Sequence, residues 1–184
     1  MYISTSDHRT VLSEKDIQRI AKIAKYLINR ITPPQLGLYE ELSDDDLWFS
    51  LILQFCVVGG AEMLDNLKKD EKMFDEFKSQ LSLHLLSSIQ YDSSQYISEI
   101  LKQYKATRFY NKQAQKISSL LRNPQIVHKG RFMLLKDMDH NKLSYQDIRK
   151  QLIYRNPHFK YKSASEYMIE NGLSLDVIGL SSRV

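Results

Sequence analysis

The chain has 184 residues, 42% of them hydrophobic and 26% charged, the balance of a globular protein with one ordinary domain or two small lobes sharing a core. Its longest apolar run, Leu47 to Val58, is short of the ~18 residues of a bilayer span and is interrupted by Ser50 and Gln54, while a single cysteine, Cys56, excludes an internal disulfide and any multi-cysteine cluster. The formal net charge of +4 hides a polarised molecule, because Lys102 to Lys162 carries 15 Lys and Arg against three Asp, a net of +12.

Helix signals recur along the chain and strand signals do not. Ser13 and Asp16 have capping-box spacing, and Ile17, Ile20, Ala21, Ala24, Leu27, Ile28 and Ile31 follow at helical period, which predicts a helix over 14–31 that Pro33 and Pro34 stop. Ser43 with Asp46 starts a second helix that is apolar on nearly every side, from Leu47 to Val58, so it must be central and buried. Gly59-Gly60 allows a bend before a short helix over 61–67. Further helical patterns cover 70–80, 82–89, 94–105, 111–122, 145–154 and 163–171.

Ser144 with Asp147 and Ser163 with Glu166 repeat the capping spacing, and Gly172 stands where a left-handed helix stop is expected. Pro124 and Pro157 mark breaks, and Val127 to Leu135 leaves room for a short strand. The fold class expected is all-α, with about eight to ten helices.

A concentrated positive field attracts a polyanion and releases its counterions, so the basic segment points to nucleic acid. Aromatic residues are interleaved with it: Tyr104, Phe109, Tyr110, Phe132, Tyr145, Tyr154, Phe159 and Tyr161. Most fit the edge of a helical core, whereas Phe159 and Tyr161, flanking Lys160, are expected to face DNA. The five histidines are scattered, and no pair has metal-ligand spacing on one helix. His140 beside Asp137 and Asp139 reads as a solvated turn, and Asp44, Asp45 and Asp46 read as a charged helix N-terminus. Neither a metal nor another cofactor is implied. There is no Gly-rich phosphate loop and no nucleophile elbow.

Lys162 is the residue with chemistry to offer. With a helix beginning at Ser163, its amine lies at the positive end of the helix dipole beside Lys160, a setting that favours a neutral, nucleophilic amine suited to Schiff-base formation. Taken alone, such a lysine reads as a phosphate contact or a solvated side chain.

The tail from Lys162 to Val184 resembles the helix-hairpin-helix DNA glycosylase superfamily, in particular its 8-oxoguanine glycosylase/lyase branches. Lys162-Ser163-Ala164 is similar to the catalytic lysine and helix start, Gly172-Leu173-Ser174 to the helix stop, and Val177-Ile178-Gly179-Leu180 to the run before the family's aspartate. Upstream, Leu47-Trp48-Phe49 through Gly59-Gly60 is similar to the family's early buried helix, and Arg108 to Ala114 to the helix after its pocket loops. The resemblance spans about residues 42–184.

It implies a helix-hairpin-helix multi-helix bundle without its last helices, in three segments: 1–41, an N-terminal helix of the terminal lobe; 42–150, the helical-bundle lobe; and 151–184, the hairpin and chain end. The activity implied is base-excision repair of damaged, oxidised-purine-type bases. Lys162 would attack the sugar, and Arg155, His158, Lys160, Tyr161 and Arg183 would contact DNA. Ser181 occupies the place of the family aspartate and supplies no charge, which impairs that activity. His158 and Lys160 replace the two glycines whose amides approach a phosphate in the family.

The partner expected is double-stranded DNA, bound by a monomer that is cytoplasmic and nucleoid-associated, with no membrane association. Two alternatives stand beside this reading: a catalytically inactive DNA-binding relative, and a helical protein-interaction module.

Overall fold

A computed structural model of the chain describes residues 13–27, 35–58, 61–89 and 92–175. It divides into two compact units, 1–33 and 34–184. In the first, α1 (Glu14–Leu27) starts at the expected box: Ser13 Oγ accepts from Asp16 N at 3.2 Å, and Ser13 N donates back to the Asp16 carboxylate at 3.3 Å. Ile17, Ile20 and Ile23 line one exposed stripe of this helix. Residues 28–31, expected to continue it, lie outside the described residues.

The second unit carries α2 (Asp44–Cys56), α3 (Glu62–Lys68), α4 (Glu71–Gln80), α5 (Leu83–Ser88), α6 (Ser93–Gln103), α7 (Tyr110–Leu121), α8 (Tyr145–Arg155) and α9 (Tyr161–Glu170). It contains the segment 42–150 together with 151–184. A two-stranded antiparallel ribbon, β1 (Val127–His128) and β2 (Arg131–Phe132), falls inside the stretch that left room for a strand. The protein is therefore all-α in class. No helix among the described residues is long and apolar enough to cross a membrane.

The apolar circumference of α2 makes it the centre of this unit. Trp48, Leu51 and Ile52 are fully buried, and Trp48 Nε1 donates to the Leu81 carbonyl at 3.0 Å, which satisfies the one polar atom of a large apolar side chain. The three aspartates at its start do more than complement a dipole. Asp44 pairs with Arg131 at 2.5 Å and fastens the β-ribbon; Asp45 Oδ1 accepts from Leu83 N at 2.5 Å at the start of α5. Asp46 closes the box with Ser43 and meets Lys78 of α4, whose ammonium holds this carboxyl below the usual range. Cys56 lies in the core, and burial pushes its thiol up to about 12.

The ribbon turns through Lys129 (φ 52°) and Gly130 (φ 73°), two left-handed residues in succession. That geometry suits the right-handed twist of paired strands and puts Val127 and Phe132 into the core.

Helix α9 is pinned to α2 by Tyr167, fully buried, whose hydroxyl donates to the Leu47 carbonyl at 3.1 Å. It begins at Tyr161 rather than at the expected Ser163. Ser163 is not its cap; its Oγ instead accepts from Lys160 N at 3.0 Å, so the helix gains two residues at its N-terminal end. At the other end Gly172 adopts φ +66°, the left-handed stop read from the sequence. Its carbonyl accepts from Gly37 N at 2.7 Å, and an added Cβ would lie 2.0 Å from the Gln35 carbonyl oxygen.

Gly172→Ala therefore meets both left-handed strain and a backbone collision. The substitution should lower the unfolding free energy by at least about 2 kcal/mol in urea titrations; an unchanged midpoint would show that residues 35–38 move aside freely.

Candidate nucleic-acid interface

Helices α8 and α9 form a helix–turn–helix pair joined by Asn156–Lys160. The turn is built around Asn156, which is fully buried: its Oδ1 accepts from His158 N, and its carbonyl from Phe159 N, each at 3.0 Å. With Lys160 N given to Ser163 Oγ, the amides of this turn are satisfied internally. The open donors lie one step further on. The first three amides of α9, those of Tyr161, Lys162 and Ser163, have no acceptor among the described residues and face an anion-attracting helix end.

Phe159 does not face outward. It is 4% exposed, stacked on Phe55 at 6.3 Å between centroids and tilted against Tyr167 at 5.6 Å. The expectation that it meets DNA is corrected: an apolar ring in the turn is the anchor that docks the turn onto α2. Tyr161 is 66% exposed, and the Arg149 guanidinium lies 5.2 Å from its ring centroid. The same guanidinium lies 6.0 Å from the Tyr145 centroid, and its Nη1 donates to Ser165 Oγ at 3.4 Å, so the cation is held near two aromatic rings.

Lys160, the residue before α9, belongs to a cluster of cations. Lys112 and Lys116 are one turn apart on α7, and Lys160 projects from the connecting turn. Partial burial, then repulsion from Lys112 and Lys160, lowers the pKa of Lys116. Its ammonium lies 5.9 Å from the Phe55 centroid, and none of the three lysines makes an ion pair among the described residues. Beside them His158 packs edge-on against Phe55 at 6.2 Å, with Nε2 2.9 Å from Ser119 Oγ. Ser119 gives its one proton to the Lys116 carbonyl at 2.6 Å, so it accepts from Nε2–H of the imidazole. Burial first, and Lys116 second, lower the pKa of His158 and keep the ring neutral.

Arg155 is committed elsewhere. Its Nη1 donates to the carbonyls of Leu134 at 3.0 Å and Lys136 at 2.6 Å, tying α8 to the segment after the ribbon. Its expected phosphate contact gives way to this structural one. Lys162 is in the first turn of α9, and its Nζ lies 3.4 Å from Glu166 Oε1. Glu166, expected as a cap partner of Ser163, thus faces the lysine. Ser181 and Arg183 lie outside the described residues.

His140 is a packed residue rather than a solvated one. Its side chain is 14% exposed, with Nδ1 3.1 Å from the Tyr39 hydroxyl and 3.6 Å from Glu40, holding residues 137–143 against the short turn at Leu38–Glu40. Among the described residues no group of His, Cys, Asp and Glu is arranged to hold a metal ion. Of the site residues, Lys112, Lys116, Ser119 and Arg149 escaped the sequence reading. The i, i+4 spacing of the two lysines was visible, but their meeting with Lys160 is tertiary. No protein-family model, no curated protein and no solved structure matches the chain.

The neutral His158 makes stability depend on pH. An imidazole with a lowered folded-state pKa binds its proton more readily when unfolded, so stability is lost as pH falls below the ordinary value of about 6.5. The loss stops below the lowered folded value. The difference in melting temperature between the native chain and His158→Gln should narrow as pH falls from 7.5 to 5.5, and a difference independent of pH would remove the imidazole from this linkage.

Proposed function

We propose that the chain is a DNA-binding protein of the helix-hairpin-helix glycosylase type. It grips the phosphate backbone of a duplex where α7 and the α8–α9 turn meet, and Lys162 condenses with the aldehyde of an abasic sugar. The observation that carries this reading is the grouping of Lys112 and Lys160 around Lys116, cations without carboxylate partners among the described residues, together with the open amides of α9 that follow Lys160 in the chain. Three uncompensated charges held together gain most from a polyanion, and the amides supply directed hydrogen bonds to phosphate oxygens.

The reacting group follows from the same frame. Lys162 belongs to the first turn of the helix that receives the phosphate, so a bound backbone brings a sugar within reach of its amine. Expulsion of an intact base also needs a charge to stabilise the developing sugar cation, and Ser181 supplies none at the position where the resemblance calls for aspartate. Condensation with a preformed abasic aldehyde has no such requirement. The activity proposed is thus lyase chemistry at abasic sites, with little excision of damaged bases. A binding protein without catalysis is the second reading, favoured by the Glu166 carboxylate that already occupies the Lys162 ammonium.

Binding is tested by its salt dependence on duplex DNA. Replacing Lys112, Lys116 and Lys160 together by Ala should reduce the slope of log K against log salt by about 0.9 for each phosphate that the variant no longer neutralises. Arg155→Ala should cost stability but leave that slope in place, since its guanidinium serves carbonyls. An unaltered slope in the triple variant would move the DNA footprint away from α7.

Chemistry is tested by borohydride trapping on a duplex carrying one abasic site. The native chain should form a covalent adduct that Lys162→Ala abolishes, and Ser181→Asp should raise excision of 8-oxoguanine. Strong duplex binding without any adduct would establish the binding-only reading.

A further inference from the structure

The carboxylate of Glu166 faces the Lys162 amine across one turn of α9. Its side chain is 30% exposed, it closes no cap, and its one polar contact among the described residues is Lys162 Nζ at 3.4 Å. The next carboxylate along the same face, Glu170, is differently engaged. Its Oε2 accepts from Gln54 Nε2 at 2.7 Å and from Ser50 Oγ at 3.4 Å, so α2 holds it in place one turn below. Glu166 is thus the carboxylate left to serve the amine. Lys162 is 49% exposed on its side chain, open enough to receive a sugar while the carboxylate beside it stays in reach.

We infer that Glu166 is the proton carrier for Schiff-base formation at Lys162, taking a proton from the lysine nitrogen and returning it to the hydroxyl that leaves as water. This inference rests on the proposed reaction of Lys162 with an abasic aldehyde. Glu166 removes one proton from the ammonium and frees its lone pair. The nitrogen attacks the aldehyde carbon, a C–N bond forms, and the carbonyl π pair moves to oxygen. That oxygen takes a second proton from the same nitrogen to give a carbinolamine. Glu166 then protonates the carbinolamine hydroxyl, the C–O bond breaks, water departs, and the nitrogen lone pair closes the iminium.

The sum is ammonium plus aldehyde giving iminium plus water, with no net proton exchanged with solvent and Glu166 restored as carboxylate. A group that both accepts and donates within one addition–dehydration sequence has to touch the nitrogen throughout. The i, i+4 relation on one helix secures this, because it holds the two side chains over the same turn. The charge arithmetic agrees with this role. The nitrogen is cationic at both ends of the reaction, so the ion pair with Glu166 persists in reactant and product, and the carboxylate's effect is concentrated on the steps that move protons.

The experiment compares the native chain, Glu166→Gln and Glu166→Ala on a duplex oligonucleotide carrying one preformed abasic site, under saturating protein with borohydride present. Adduct formation should slow by about a hundredfold in both variants, the scale of positioned acid–base catalysis. Duplex affinity and the far-ultraviolet circular dichroism spectrum should stay unchanged. Acetate should restore the rate of Glu166→Ala in proportion to its concentration at constant ionic strength, whereas chloride should not, and a packing role would show no such rescue.

Equal adduct rates in the native chain and both variants overturn the role of Glu166 and leave the reaction of Lys162 standing. A slowed Glu166→Ala that acetate does not restore also overturns it, in favour of a structural pair. No adduct with any of the three chains, while the duplex remains bound, overturns the reading of Lys162 itself and this inference with it.

Discussion

Helix α2 is apolar on nearly every side, and a helix of that kind is stable in water only when other elements cover it all round. The demand organises the second unit. The helices α5 and α9, the β-ribbon and part of α7 each meet α2, so no one of them can shift without uncovering apolar surface. Polar contacts then fix angle and register: Trp48 to Leu81, Tyr167 to Leu47, and three aspartates at one end reaching Arg131, the start of α5, and Lys78. The apolar surface supplies the drive for association, and these directed bonds select one arrangement among several that would bury similar area.

The basic face is a consequence of that arrangement rather than an addition to it. Phe55, at the far end of α2, lies beneath Phe159, His158 and the Lys116 ammonium. Docking the α8–α9 turn on this ring brings Lys160 up to α7, and it removes part of the water from Lys116 and His158, whose pKa values both move down. Partial desolvation of like charges costs stability, and in this molecule the cost is concentrated where α9 presents its open amides. A fold optimised only for its own stability would place an acidic side chain there, as it does at Asp46 beside Lys78.

Local signals in the sequence were sufficient for most of the architecture. Caps at Ser13 and Ser43, the left-handed glycine at 172 and the 3.6-residue period located the helices to within a few residues, because each depends on neighbours in the chain. The misplaced start of α9 shows the limit of such signals. Ser163 has the right spacing for a cap with Glu166, but a serine three residues into a helix can equally accept from the amide before it, and local pattern does not distinguish the two. The same limit explains Phe159 and Arg155. An aromatic ring between basic residues looks like a stacking group and an arginine beside them like a phosphate clamp. Whether each turns inward depends on Phe55 and on the carbonyls of Leu134 and Lys136, which are distant in sequence.

The candidate chemistry was legible in part for the same reason. Lys162 could be singled out because its place at a helix start is local, whereas the lysine cluster that would bring DNA to it joins residues more than 40 positions apart, from Lys112 to Lys160. On the proposed reading, binding and reaction would be coupled through one short helix. Tyr167 fixes α9 on α2, the first turn of α9 offers amides on one side, and the amine of Lys162 stands within that same turn. A phosphate bound by those amides would lie in the same helical turn as the amine. Rigid attachment of this kind would turn a weakly specific electrostatic contact into a positioned one, since the freedom that binding removes is already lost in the fold.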